Sequence, residues 1–333
     1  MCQNLIDEIT QELLESEMKL LSIIIKFIKT NRKASTSNIE FLIDIKIPSI
    51  MNCWKTSAEE LISKGVITYQ IESGEKAFDL TEKGTIYSNF IYQNDYLTRY
   101  FYDEFYKKAE DSLAHKEFCE NVYNKDLCQH GMTDMKQLDL LIHHLNTNDK
   151  SDVLEIGCGN GYITEYISDV TRAHVTGIDI SPVSIESAIN RTKAKSNRLN
   201  FETKNIYDLD YKEHTFDAII AIDSLFFINP FGDVVEKLIY MLKPGASMYA
   251  FFIYPPNVGC LRFDEELDRL KLNYSVIDLT KENYEHWVLK EEVLLKLKSK
   301  FEKENNMFLY NNRIQECQGD IRNFKRFLYI VNK

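Results

Sequence analysis

Between residues 151 and 254, five short apolar runs alternate with helical stretches, and that alternation leaves few folds open. The runs are SDVLEI (151–156), HVTGI (174–178), NFETK (200–204), FDAIIAI (216–222) and ASMYAFFIY (246–254), with helical patterns over roughly 162–169, 182–197 and 233–242. Strands separated by helices close into a parallel sheet covered on both faces, because each connection must cross over. Two later runs, NYSVIDL (273–279) and FKRFLYIV (324–331), bracket a helical stretch over 280–322. Connections inside a sheet are normally far shorter, so 280–322 is an expected insertion, of the kind that often serves as a lid. The expected class is α/β: a doubly wound sheet, mostly parallel, with an antiparallel last strand.

Upstream of the sheet the pattern changes. Residues 17–30, 35–45 and 47–65 carry helical patterns, and 66–84 alternates like two short strands around Ser73 and Gly74. Three helices followed by a hairpin resemble a winged helix-turn-helix. Residues 91–150 are helical and rich in Tyr and Phe, most densely over 90–106. There Thr133 or Asp134 is placed to cap a helix leading into the first strand. The chain thus divides into a winged-helix-like domain at 1–90, a helical cap or linker at 91–150 and the α/β domain at 151–333.

Charge and cysteine usage narrow the partners. The formal net charge is −11, and residues 1–90 hold ten Lys plus Arg against thirteen Asp plus Glu. The would-be recognition helix at 48–64 balances Lys55 and Lys64 against Glu59 and Glu60. Nucleic-acid affinity rests on cations facing phosphates, so this balance argues against DNA or RNA. Seven cysteines, at 2, 53, 119, 128, 158, 260 and 317, form no CxxC pair. They are expected to be free thiols of a cytoplasmic protein, with no metal site and no disulfide framework. No stretch approaches the ~20 apolar residues that span a bilayer.

The turn after the first strand is the chemically informative part. Of only 12 glycines, three stand at 157, 159 and 161, in VLEIGCGNG. Glycine permits φ > 0 and lets a ligand approach the backbone, at the carboxyl end of a strand where α/β sheets bind ligands. A dinucleotide fingerprint would read GxGxxG; this chain reads GxGxG with Glu155 two residues before it. A carboxylate there repels a pyrophosphate and suits a cationic group. Asp179 ends the second strand, where it can accept both hydroxyls of a ribose or merely cap the next helix. Together these features describe a nucleoside with a positively charged tail.

VLEIGCGNG, GIDIS, FDAIIAID and LKPGASM, in this order and spacing over about 151–255, resemble the successive motifs of the class I S-adenosylmethionine-dependent methyltransferases, a Rossmann-like family. The resemblance implies S-adenosyl-L-methionine as cofactor, and for the small N-terminal domain a part in homodimerisation or in closing the substrate pocket. It implies that Glu155 and the backbone of Gly157, Cys158, Gly159 and Gly161 hold its methionine part, Asp179 its ribose and Ile180 the adenine face. Asn205 and Ile206 take the adenine edge, at a position where the family often has Asp. Asp223, at the end of the fourth strand, lies beside the transferring methyl.

Methyl transfer from a sulfonium needs alignment and exclusion of water, and a base only where the nucleophile must lose a proton. His130 and Asp223 are the candidate bases. His130 is equally readable as a loop histidine with a structural hydrogen bond. Tyr254, after the fifth strand, is a candidate substrate-side residue. Tyr284 and Trp287 in the insertion either face a substrate cation or pack the insertion. The aromatic segment and the insertion suggest an enclosed pocket, hence a small-molecule acceptor methylated at nitrogen or oxygen. Two alternatives stand beside it: a DNA-binding regulator that senses S-adenosylmethionine, and an RNA or protein methyltransferase.

Overall fold

The computed structural model describes residues 9–228, 231–256 and 262–333, and the chain divides into two units, one ending at Phe105 and the other beginning at Tyr106. The first unit is built on helix α1 (Glu15–Lys29), buried along most of its circumference by Met18, Leu20, Leu21, Ile23, Ile24, Ile25 and Phe27. Strand β1 (Ala34–Ser35) leads into α2 (Thr36–Lys46), whose first turn is capped by Ser35 Oγ accepting from the Asn38 amide. Helix α3 (Trp54–Ser63), the hairpin β2 (Ile67–Glu72) and β3 (Glu75–Leu80), and α4 (Glu82–Gln93) follow, with the three strands in the order β1-β3-β2.

One expectation fails here. The single helix expected over 47–65 is broken: a 3-10 turn covers Pro48–Ile50, a turn follows, and α3 starts only at Trp54. Ile47, Ile50 and Trp54 are all buried in the same core. The break leaves these three residues on one side of the chain, as a continuous helix would also have done, and nothing local beyond Pro48 marks it. The lysines of this region are engaged as well. Lys64 Nζ lies 2.7 Å from the buried Glu17 carboxylate, and Lys55 lies 3.4 Å from Glu40.

The second unit begins within helix α5 (Tyr96–Ala109), followed by α6 (Leu113–Tyr123) and α7 (Met135–His144), the last capped by Asp134 accepting from the Gln137 amide. Its strands are β4 (Asp152–Ile156), β5 (His174–Asp179), β6 (Leu199–Thr203), β7 (Phe216–Ala221), β8 (Leu242–Tyr254), β9 (Asn273–Asp278) and β10 (Lys325–Asn332). They form one seven-stranded sheet in the order β6-β5-β4-β7-β8-β10-β9. All neighbours are parallel except β10, which runs antiparallel to both β8 and β9. The sheet is thus mostly parallel with the last strand of the chain reversed, as its sequence pattern implies.

Helices α8 (Tyr162–Thr171), α9 (Pro182–Arg191) and α10 (Phe231–Met241) make the crossovers. Side chains alternate across a strand, so β4 sends Val153 to one core with Ile167 and Ile185, and Leu154 and Ile156 to the other with Val235 and Leu238. Burial on both faces explains why the central strands are continuously apolar. After the short helix α11 (Arg262–Arg269), the stretch between β9 and β10 folds as α12 (Thr280–Lys303) and α13 (Met307–Gln318), which pack on each other, with α12 also lying on α6. Among the described residues, no helix is long and apolar enough to cross a membrane. Cys53, Cys119, Cys128, Cys158 and Cys317 carry free thiols, while Cys2 and Cys260 lie outside the described residues.

Candidate functional site

The carboxyl ends of β4, β5, β6 and β7 bring the expected residues to one edge of the sheet. The bend after β4 is tied down by its own backbone: the amides of Gly157 and Cys158 both donate to Ile178 O, at 2.8 and 3.0 Å. Gly159 donates its N–H to Asp179 Oδ2 at 2.9 Å, and Asp179 Oδ1 accepts from the Ser181 amide at 2.9 Å. The Asp179 carboxylate therefore links the bend to the start of α9. Its capping role and a role toward a ligand are compatible, since a carboxylate has about four acceptor positions.

Two of the glycines are required by what faces them. Gly159 has φ +53°, and a Cβ there would lie 2.3 Å from Tyr106 Oη. Gly157 has φ +72°, and its Cβ would lie 2.6 Å from Ser224 Cβ. A side chain at either position meets both a left-handed backbone and a neighbour with no room to give. Tyr106 and Ser224 thus cover the bend, and Ser224 is fixed by donating to Ile156 O at 2.7 Å. Glu110, beyond the end of α5, adds a strut by accepting from Asn160 Nδ2 and Ser187 Oγ.

Glu155 is the chemically exposed point of an otherwise satisfied bend. It is 2% exposed, and its Oε2 has no hydrogen-bond partner. Burial pushes its carboxyl up to about 7; the Thr164 hydroxyl works against that rise, and the negative charge of Asp179 adds to it. A buried carboxyl of this kind gains most from a cationic neighbour. Cys158 is buried, and burial first, then the charges of Asp179 and Glu155, raise its thiol well above the ordinary range. It stays protonated, which fits a packing residue rather than a nucleophile. Ile180 follows directly on β5. Asn205 Oδ1 accepts from the Tyr207 amide at 3.1 Å, and Ile206 packs on the core under α10.

Asp223 takes an unanticipated place. It sits just past β7 with φ +55°, and its carboxylate is 3% exposed. Oδ2 accepts from the amides of Met132 and Thr133 and from Thr133 Oγ1, at 2.7, 3.1 and 3.0 Å, and Oδ1 accepts from Arg326 Nη1 at 2.6 Å. Burial would raise its pKa, but the Arg326 charge and these bonds outweigh it and hold the carboxyl below the usual range. A carboxylate so held is a poor proton acceptor near neutrality, which removes the physical basis for Asp223 as a base. It clasps the 129–133 strap to the end of β7 instead.

Tyr254 also differs from its expected substrate-side position. It is 4% exposed within an aromatic cluster with Phe252, Phe263 and Phe327, and its hydroxyl accepts from the Phe263 amide at 3.1 Å. The β8 pleat turns this side chain into the core beneath α11. His130 lies in the strap, with Nε2 3.8 Å from Glu316 and its carbonyl accepting from Arg313. Tyr284 is exposed, whereas Trp287 is buried with its ring face against Lys290 Nζ at 4.1 Å. Of the residues the sequence did not single out, Tyr106 stands in the aromatic run. Arg326 and Lys290 carry no local signal beyond being charges within an apolar strand and on an inward helix face.

Comparison with known proteins identifies the domain that contains this bend. Residues 153–245 match the family described as methyltransferase domain. A 157-residue stretch is 26% identical to methyltransferase phqN of Penicillium fellutanum, covering 44% of this chain and 48% of that protein. Another of 166 residues is 28% identical to a malonyl-[acyl-carrier protein] O-methyltransferase of Acetivibrio thermocellus, covering 49% and 57%. The chain spans about half the length of these curated relatives. Among solved structures, a phosphoethanolamine N-methyltransferase 2 of Haemonchus contortus aligns with a TM-score of 0.52 at 14% identity, over 69% of this chain and 60% of that one. The [4+2]-cyclase SpnF aligns with a TM-score of 0.51 at 17% identity, over 60% and 80%. At such identities the likeness is one of fold, and a cyclase among the neighbours shows that the fold alone does not name a reaction.

Proposed function

We propose, from the premise that residues 153–245 are a methyltransferase domain of the class I S-adenosylmethionine-dependent type, that this chain transfers a methyl group from S-adenosyl-L-methionine to a small-molecule acceptor. The observation that carries the reading is the Glu155 carboxyl, buried beside a glycine bend with the Thr164 hydroxyl near it and no ion pair among the described residues. The donor supplies an activated methyl on a sulfonium, ready for in-line displacement. Glu155 and the Gly157–Gly161 bend would hold its cationic methionine end and Asp179 its ribose hydroxyls. Ile180, Asn205 and Ile206 would line the adenine.

The chain's own contribution is then alignment and exclusion of water. Tyr106 and Ser224 close over the bend, and the Asp223–Arg326 clasp holds the strap in place. Where the acceptor must lose a proton, His130 is the remaining candidate, because its ring faces Glu316. A small acceptor rather than a nucleic acid is supported by the two lysines of the 48–64 region being ion-paired rather than free for phosphates. The free thiols suit a reducing compartment such as the cytoplasm.

The test has two parts. Calorimetric titration with S-adenosylhomocysteine should show saturable binding to the full chain. Incubation with methyl-labelled donor and cell extract should then place label in the acid-soluble small-molecule fraction. Label in the acid-precipitable fraction would point to an RNA or protein acceptor. Absence of any transfer, with specific binding of a DNA site, would point to a regulator.

A further inference from the structure

Asn283, His286, Trp287 and Lys290 occupy one buried face of α12, each at most 5% exposed. They stand at i, i+3, i+4 and i+7, where a helix packing into a protein normally presents apolar side chains. The same face continues as Val293, Leu294, Leu297 and Phe301, so the polar character is confined to the half nearest the 129–133 strap. Buried polar groups are usually hydrogen-bonded, and groups that are not call for an explanation.

Here they are under-bonded: Asn283 Nδ2 donates to Phe324 O at 3.1 Å while its Oδ1 has no partner, and the inner part of the face, Trp287 and Lys290, carries donors. Lys290 Nζ, 1% exposed, donates to Gly131 O at 3.3 Å and makes no ion pair with a carboxylate among the described residues. Its other neighbours are the ring faces of Trp287 at 4.1 Å and Tyr123 at 5.2 Å. Trp287 Nε1 and His286 Nε2 are buried without a partner. Arg313 adds a second buried positive charge, bonded to the carbonyls of Gln129 and His130. Ammonium groups and indole N–H groups donate only, so what would complete Lys290 and Trp287 carries acceptors.

The cluster also borders the proposed reaction centre. A Cβ on Gly131 would lie 2.7 Å from Asp223 Oδ2, and the residue after Asp223 is Ser224, which abuts Gly157 of the bend. One strap residue therefore separates Lys290 from the end of β7.

We propose that this face of α12 and the 129–133 strap form the seat of an anionic group, a carboxylate or a phosphate, carried by the methyl acceptor. Lys290 is its counter-charge and the Trp287 N–H a further donor. The inference rests on the methyl-transfer reading and specifies its acceptor. Protonation follows the same logic. Burial and then the Arg313 charge lower Lys290 to about 7, while Glu316 and Cys317 of α13 and Asp223 pull the other way. His286 is itself held neutral by burial and by Lys290, Arg326 and Arg313. Asp134, whose Oδ2 lies 4.0 Å from His286 Nδ1, Cys119 and Tyr123 of α6, and His130 of the strap are further titratable groups around the cluster. An anion seated there restores the ammonium form, so above neutral pH its binding draws a proton from solution.

The experiment is calorimetric titration of inorganic phosphate and, separately, acetate into the full chain, free and loaded with S-adenosylhomocysteine, at pH 8 in buffers of different ionisation enthalpy. One of the two anions should bind saturably with proton uptake, and which one distinguishes the phosphate from the carboxylate. Lys290→Met, which removes a buried charge and is expected to fold, should weaken that binding by about tenfold or more and abolish the proton uptake. Trp287→Phe, which removes only the N–H, should weaken it by a smaller factor. If neither anion binds, or both variants bind as the parent does, the proposal is overturned. Affinity for S-adenosylhomocysteine is read separately, and its absence would count against the methyl-transfer reading instead.

Discussion

Arg326 Nη1 stands 2.6 Å from Asp223 Oδ1, and the two side chains are 0% and 3% exposed. The arginine comes from the last strand of the chain and the aspartate from the end of β7, two strands away in the sheet. Arg326 also donates to Gln137 Oε1 and Thr133 Oγ1, both at 2.8 Å, so one guanidinium joins the sheet, the strap and α7. A pair this well bonded specifies geometry more than it stabilises, because desolvation offsets most of the attraction.

Removing one partner is the costly change. Asp223→Ala should lower the unfolding free energy by about 3–5 kcal/mol, since it strands a buried guanidinium, and Asp223→Ala with Arg326→Met should recover much of the loss. Denaturant midpoints of the three variants check this. The acid limb gives a second reading. The folded pKa of Asp223 lies below its ordinary 3.8, so its contribution is complete above that value and lost as pH falls through the lower folded one. Asp223→Asn should therefore flatten the stability profile below about pH 4 relative to the parent.

Glu155 has the opposite sign. Its folded pKa of about 7 exceeds the ordinary 4.5, so its contribution is fully present below 4.5 and disappears as pH rises through 7. Glu155→Gln, which keeps the shape without the charge, should be more stable than the parent at pH 8 by on the order of 2 kcal/mol. The same variant should bind S-adenosylmethionine at least about tenfold more weakly. In the parent, donor binding near pH 7 should release a proton, visible as a buffer-dependent enthalpy.

Gly159→Ala sets a methyl group against Tyr106 Oη on a backbone at φ +53°. The expected cost is about 1–3 kcal/mol, from strain and overpacking together. Adding Tyr106→Ala should relieve the clash but not the backbone strain, so thermal melts should show partial rescue.

Asp179→Ala removes the acceptor for the Gly159 and Ser181 amides. The fold should persist with a loss of about 1–2 kcal/mol. Donor affinity should drop by tenfold or more. Unchanged affinity for S-adenosylhomocysteine by calorimetry would show that the ribose is held elsewhere.

The sequence by itself determined the order of strands and crossovers, the hairpin at Ser73–Gly74 and the position of the glycine bend. Each is written in neighbouring residues: a period of two or 3.6, a turn residue, a cap such as Asp134. What only the tertiary structure decided depends on residues far apart in the chain. Arg326 meets Asp223 across 103 positions, and Lys290 meets Gly131 across 159. Neither pairing leaves a local trace. Tyr254 illustrates the same limit, since strand periodicity tells that alternate side chains face opposite ways but not which layer covers each face. The break before Trp54 falls inside a continuous helical pattern, with Ile47, Ile50 and Trp54 buried in one core on either side of it. Local propensities amount to tenths of a kcal/mol per residue, whereas burying one large side chain, or leaving one buried charge without its partner, weighs several times more, so wherever the two conflict the packed interior prevails.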